Sequence, residues 1–177
     1  MLQNFESIVL IWLGIGFITF ITLLKIPAPY GKFSKTNWGP MIPSKLGWIV
    51  MEIISPLALL YFFLNGNIEK TPTNITFISL WTLHYFNRSV IYPLRQNNPA
   101  QMPLIIAVLA FLFNVMNGYI NGTYFGSIQE YSAEYMSNWN FIVGVCLFII
   151  GAYINIKSDN ILLSLRSKSG EYKIPEG

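Results

Sequence analysis

The chain has 177 residues, 53% of them hydrophobic and 11% charged, with a net charge of +3. A soluble domain carries roughly 25% charged residues, so lipid is the expected solvent, and the scattered basic residues report membrane topology rather than a nucleic-acid partner. One cysteine and one histidine exclude an intrachain disulfide and a cysteine cluster and make a zinc site improbable.

An all-α, multi-pass transmembrane bundle in a single domain, residues 1–177, is the expected fold. Spans are predicted at about 5–24, 47–64, 75–94, 103–122 and 141–157. Each is near the ~20 residues needed to cross ~30 Å of hydrocarbon. The first lacks a basic leader, and its apolar run is too long for a typical signal peptide, so it reads as a retained span. Pro27, Pro29, Pro40 and Pro43 make the first loop irregular, with a turn expected at Tyr30-Gly31. From Ser158 onward a cytoplasmic tail, 158–177, begins as a short amphipathic helix leaving the membrane. Trp38 and Trp139 lie near span ends and read as interfacial anchors.

Charge orients these spans. Lys25, Lys32, Lys35 and Lys45 fall in the first loop, Arg88 and Arg95 near the end of the third span, and Lys157, Arg166, Lys168 and Lys173 in the tail. All lie on one side, opposite Lys70, Glu6, Glu69, Glu130 and Glu134. The positive-inside rule therefore places the N-terminus outside and the tail in the cytoplasm, in a cell membrane or an endoplasmic reticulum membrane.

Glu52 is the one acid within a long apolar run. A carboxylate at the centre of a membrane helix costs about 2.5–3.5 kcal/mol on insertion scales, so it needs a partner or a purpose. Tyr85, Arg88 and Tyr92 share one helical face in the third span. Glu52 and Tyr85 both lie in the cytoplasmic half of their spans, so they can meet. A carboxyl and a phenol in a dry pocket could donate together to a carbonyl oxygen and stabilise enolate charge. A Glu that satisfies a neighbouring helix is the other reading, and spacing leaves both open.

Asn155 and Asp159 share a face at the end of the fifth span, and Arg166 follows seven residues later. Amide, carboxylate and guanidinium on one stripe suit a nucleotide, and also suit a solvated helix end. No Gly-x-Gly-x-x-Gly or P-loop is present. Gly118-x-x-x-Gly122 is a close-packing spacing for membrane helices.

The ordered blocks Tyr30-Gly31-Lys32, Trp48 with Glu52-x-x-x-Pro56, His84-Tyr85-Phe86-x-Arg88, Asn117-Gly118, Ile154-Asn155-Ile156-x-Ser158-Asp159 with Leu165-Arg166, and Tyr172-Lys173-Ile174-Pro175-x-Gly177 resemble the steroid 5-alpha-reductase family (3-oxo-5-alpha-steroid 4-dehydrogenase). The resemblance implies an NADPH-dependent reductase of an enone C=C bond in a 3-oxo-4-ene steroid or similar lipophilic molecule, surrounded by membrane lipids. It implies that Glu52 and Tyr85 hold the substrate carbonyl. It places Tyr30, Asn155, Asp159, Arg166 and Lys173 at the cofactor, with Arg88 inside a matching motif and Arg95 a phosphate candidate. It sets Trp48 and Phe113 beside the substrate. It also implies seven spans, two more than these residues hold. A trans-2-enoyl-CoA reductase, similar in fold and cofactor, and a truncated non-catalytic membrane protein are the alternative functions. A transporter would need paired discontinuous helices, and no such halves are visible.

Overall fold

A computed structural model describes residues 2–29, 33, 37–96 and 101–169, with side chains through 164. The helices are α1 (Leu2–Lys25), α2 (Ser44–Leu64), α3 (Pro72–Phe86), α4 (Tyr92–Leu94), α5 (Leu104–Thr123) and α6 (Trp139–Ser169). A π turn, Asn87–Ile91, joins α3 to α4, and a second, Tyr124–Ile128, prolongs α5. A 3-10 turn, Ala133–Ser137, precedes α6. The chain is an all-α membrane bundle. Four described segments are long and apolar enough to cross a membrane: Leu2–Lys25, Ser44–Leu64, Leu104–Ile128 and Trp139–Ser164. The predicted span 75–94 is the run from α3 through the π turn to α4. The amphipathic helix expected after Ser158 is continuous with α6 up to Ser169. The Tyr30-Gly31 turn lies outside the described residues.

A small pair of strands, unforeseen in an all-α chain, sets the bundle's register. Strands β1 (Met41–Pro43) and β2 (Gln101–Pro103) pair antiparallel, Ile42 opposite Met102. Proline fixes φ and carries no N–H, which suits extended backbone just before a helix. Pro43 and Pro103 stand there, immediately ahead of α2 and α5. The Leu104 N–H donates to Pro40 O at 2.8 Å, closing the pair. The two helices therefore leave one point side by side in the same direction.

Small residues keep them together. A Cβ placed on Gly118 would lie 2.6 Å from Ala58 Cβ and 2.8 Å from Ser55 O. On Gly122 it would lie 2.6 Å from Leu59 O, and on Gly126 2.8 Å from Phe62 O. The Gly118-x-x-x-Gly122 spacing thus extends by one more turn, and its partner is α2. Leu59, Phe63 and Ile78 form a buried cluster beside this contact, and Met51, Met102 and Ala107 form another near the strands. By contrast, α1 and α6 present apolar residues outward, as lipid-facing helices do, with Leu10 68% and Leu147 64% exposed.

The far end of the bundle, away from the strands, is tied by polar groups. Thr71 caps α3, accepting from Asn74 N at 3.2 Å. Asn74 is fully buried. Its amide donates to Phe125 O and Gln129 O, both at 3.0 Å, and its Oδ1 accepts from Tyr131 N at 3.2 Å. Thr73 Oγ1 donates to Ser132 O at 2.7 Å. These bonds set the height of α3, and hence of Tyr85, against α5.

Candidate functional site

Glu52 sits on α2 one turn before Pro56. Proline lacks the N–H that would bond the Glu52 backbone carbonyl, so the helix ladder is interrupted at this acid. The Glu52 carboxyl is partly buried, with Arg88 and Tyr85 as electrostatic neighbours. The two helices thus bring Glu52 and Tyr85 together.

Tyr85 is held on several sides. Its hydroxyl donates to Asn114 Oδ1 at 3.3 Å and accepts from Asn117 Nδ2 at 3.3 Å. Trp81 stacks on its ring, with centroids 5.4 Å apart. Trp81 Nε1 donates to Ser55 Oγ at 3.3 Å, which locks that ring to α2. A cavity of about 360 Å³ lies between α3, α5 and α6, lined by Trp81, Asn121, Phe77 and Phe141.

Arg88 lies in the π turn. Such turns insert an extra residue into a helix and often occur at functional sites. Its guanidinium lies over both Trp48 and Tyr92, 4.8 Å from each ring centroid. It also reaches α6, where Nη1 bonds Asp159 Oδ2 at 3.0 Å. The pair is largely enclosed, its side chains 15% and 11% exposed. Seven residues on, about two turns, Arg95 Nη2 donates to Asn160 Oδ1 at 2.6 Å. Two arginines thus bridge the α3–α4 run to α6.

Of the residues read from sequence, Glu52, Tyr85, Arg88 and Asp159 form one connected group, with Trp48 packed on Arg88. Asn155 lies one turn before Asp159 on α6, and Arg95 is engaged with Asn160. Phe113 is half exposed and meets Trp12 of α1, ring centroids 5.8 Å apart. Tyr30 and Lys173 lie outside the described residues, as does the side chain of Arg166. The reading missed Asn114, Trp81, Ser55 and Asn160. Asn114 had a visible signal: it is an amide in an apolar helix, three residues before Asn117.

The polar end of this group fits a dinucleotide. Asn155 Oδ1 and Gln96 Oε1 are buried without a hydrogen-bond partner among the described residues. An unmet buried acceptor costs about 1–3 kcal/mol, and ligand hydroxyl or amide groups would supply the missing donors. Arg88 and Arg95 give positive charge beside them for phosphate.

A family profile described as 3-oxo-5-alpha-steroid 4-dehydrogenase matches residues 100–177. The chain is 38% identical over 167 residues to a steroid 5-alpha-reductase of Gossypium hirsutum, covering 90% of this chain and 64% of that protein. It is 35% identical over 177 residues to one of Solanum lycopersicum, covering 98% and 69%. To 3-oxo-5-alpha-steroid 4-dehydrogenase 1 of Bos taurus it is 32% identical over 172 residues, covering 93% and 66%. The chain therefore spans slightly less than two thirds of the length of the Gossypium hirsutum and Bos taurus proteins.

Proposed function

The chain belongs to the steroid 5-alpha-reductase family, and from that premise we propose that it forms the carbonyl-binding part of an NADPH-dependent reductase of a 3-oxo-4-ene steroid or similar lipid. The observation that carries this reading is the convergence of Glu52 and Tyr85 beside the Arg88–Asp159 bridge. A carbonyl clamp and a polar anion-binding end are thereby one connected structure.

NADPH, when bound, supplies a hydride to the enone β-carbon. Negative charge then builds on the carbonyl oxygen. The O–H groups of Tyr85 and a protonated Glu52 would point at that oxygen and stabilise the charge, and a proton delivered to the α-carbon completes the saturated ketone. Donors fixed in a dry site act strongly because they need no reorganisation as charge develops. Trp48 and Phe113 flank the lipophilic substrate in this reading. Asn155, Asp159, Arg88 and Arg95 hold the cofactor's polar groups, with Tyr30, Arg166 and Lys173 completing its site. In the sequence, ten of the eleven basic residues belong to the first loop, the end of the third span with the loop after it, and the segment from Lys157 onward, and the positive-inside rule supports a cytoplasmic cofactor end and C-terminal tail.

The test is steady-state turnover by full-length protein with NADPH and a 3-oxo-4-ene steroid. We expect the 5-alpha product, and losses of about 100-fold or more in Glu52→Gln and Tyr85→Phe, the scale of removing one charge-stabilising donor. Wild-type rates in both variants would sink the mechanism. Activity on a trans-2-enoyl-CoA with none on the steroid would replace the substrate class.

A further inference from the structure

We propose that Asn114 is the positioning residue of the carbonyl clamp, tying the Glu52 helix to the Tyr85 hydroxyl and setting the height at which that hydroxyl stands beside Glu52. The proposal rests on the reading of Tyr85 as the carbonyl donor. Asn114 is only 5% exposed, in the middle of an apolar helix. Its Nδ2 donates to the backbone carbonyl of Met51 at 2.7 Å, and Met51 precedes Glu52. A carbonyl only accepts, so this bond fixes the orientation of the amide and turns Oδ1 to Tyr85. Oδ1 only accepts as well, so the Tyr85 proton is directed at α5.

The opposite side of the hydroxyl is fixed by the same logic. Asn121 Nδ2 donates to Asn117 Oδ1 at 3.2 Å, which leaves Asn117 Nδ2 to donate to Tyr85 Oη. On α5 the phenol thus meets one acceptor and one donor, and the Ser55 hydroxyl of α2 is a further hydrogen-bonding neighbour. Both bonds are 3.3 Å long, against about 2.7–2.8 Å for a strong O–H···O bond. Asn114 therefore holds the ring at the height of residues 51 and 52 without binding its proton tightly. A substrate carbonyl arriving beside Glu52 can take that proton by a rotation of the O–H bond. Asn117 stays on the phenol oxygen and polarises it further.

The experiment is a double-mutant cycle in full-length protein with NADPH and a 3-oxo-4-ene steroid. Asn114→Leu should lower kcat by roughly 10- to 100-fold, the scale of a misplaced catalytic group. In the Tyr85→Phe background the same change should cost less than about twofold, because the group it positions is gone. Equal losses in both backgrounds would overturn the proposal, since a merely structural residue costs the same with or without the hydroxyl. If Asn114→Leu does not fold, the near-isosteric Asn114→Asp decides by the same criterion. A wild-type protein that reduces no steroid enone overturns the functional reading and the proposal together, an outcome distinct from an additive cycle.

Discussion

Replacing Gly118 with alanine tests the contact on which the site depends. The new Cβ would lie 2.6 Å from Ala58 Cβ and 2.8 Å from Ser55 O. Carbon pairs settle at about 3.5–4.0 Å. Ser55 O belongs to the α2 backbone and cannot rotate away, so α5 must retreat by about 1 Å to restore that separation. Asn114 lies one turn earlier on α5, and its 2.7 Å bond to Met51 O opens with the same movement. Overpacking costs about 1–3 kcal/mol, and the lost hydrogen bond about 1 kcal/mol. Alanine returns about 0.5–1 kcal/mol of helix propensity. The net expectation is a loss of about 1–3 kcal/mol. Denaturant unfolding in detergent, followed by tryptophan fluorescence, measures it. Gly14→Ala is the control: nothing among the described residues lies within 4 Å of its Cβ position on α1, so it should be neutral or slightly stabilising. Equal stability of the two variants would show that α2 and α5 do not approach as described.

Three further outcomes follow from other parts of the molecule. Asp159→Asn should weaken NADPH binding by about tenfold and lower stability, because removing one partner leaves the enclosed Arg88 without it; Arg88→Lys should weaken binding as well, because an ammonium cannot lie flat between Trp48 and Tyr92. Fluorescence titration with NADPH checks both, and wild-type affinity in either variant refutes the role of the bridge. Asn74→Leu strands the carbonyls of Phe125 and Gln129 and the N–H of Tyr131, so we expect a loss of about 2–4 kcal/mol in the same unfolding assay. Tyr131, in the loop after α5, has its hydroxyl pushed up to about 12, chiefly by burial and then by bonding to Tyr124 and the nearness of Tyr124 and Tyr135. An unfolded tyrosine ionises near pH ~10, so this contribution is complete below that pH and is lost as pH rises toward the folded value. Alkaline unfolding of Tyr131→Phe should lack that decline, and an unchanged pH profile would refute it.

The parts of the candidate site legible in the sequence were those whose cost shows along one helix. An acid in an apolar run marks Glu52 because lipid penalises the charge wherever the helix packs. A Tyr and Arg face marks the α3–α4 run for the same reason. The glycine spacing on α5 announced a close approach, and the structure identifies α2 as its partner. Contacts between helices far apart in sequence were not legible. Arg88 and Asp159 were each visible as polar residues at a span end, but their pairing needs α6 to lie beside the π turn. That turn leaves no periodic trace, since one extra residue in a short polar stretch resembles ordinary helix. Strands of three residues are likewise too short to display alternation. Asn114 shows the limit most clearly. In sequence it is an amide in an apolar helix, equally suited to a neighbouring span or to an interface. It acquires a role only because Gly118 lets α5 reach the Met51 carbonyl and Asn74 sets the height of α3. The costly residue of the candidate site is local, whereas the contact that ties its tyrosine to α2 is a product of the packing. A search for the chemistry of such proteins should therefore follow the amides beside their close-packed glycines as well as their buried acids.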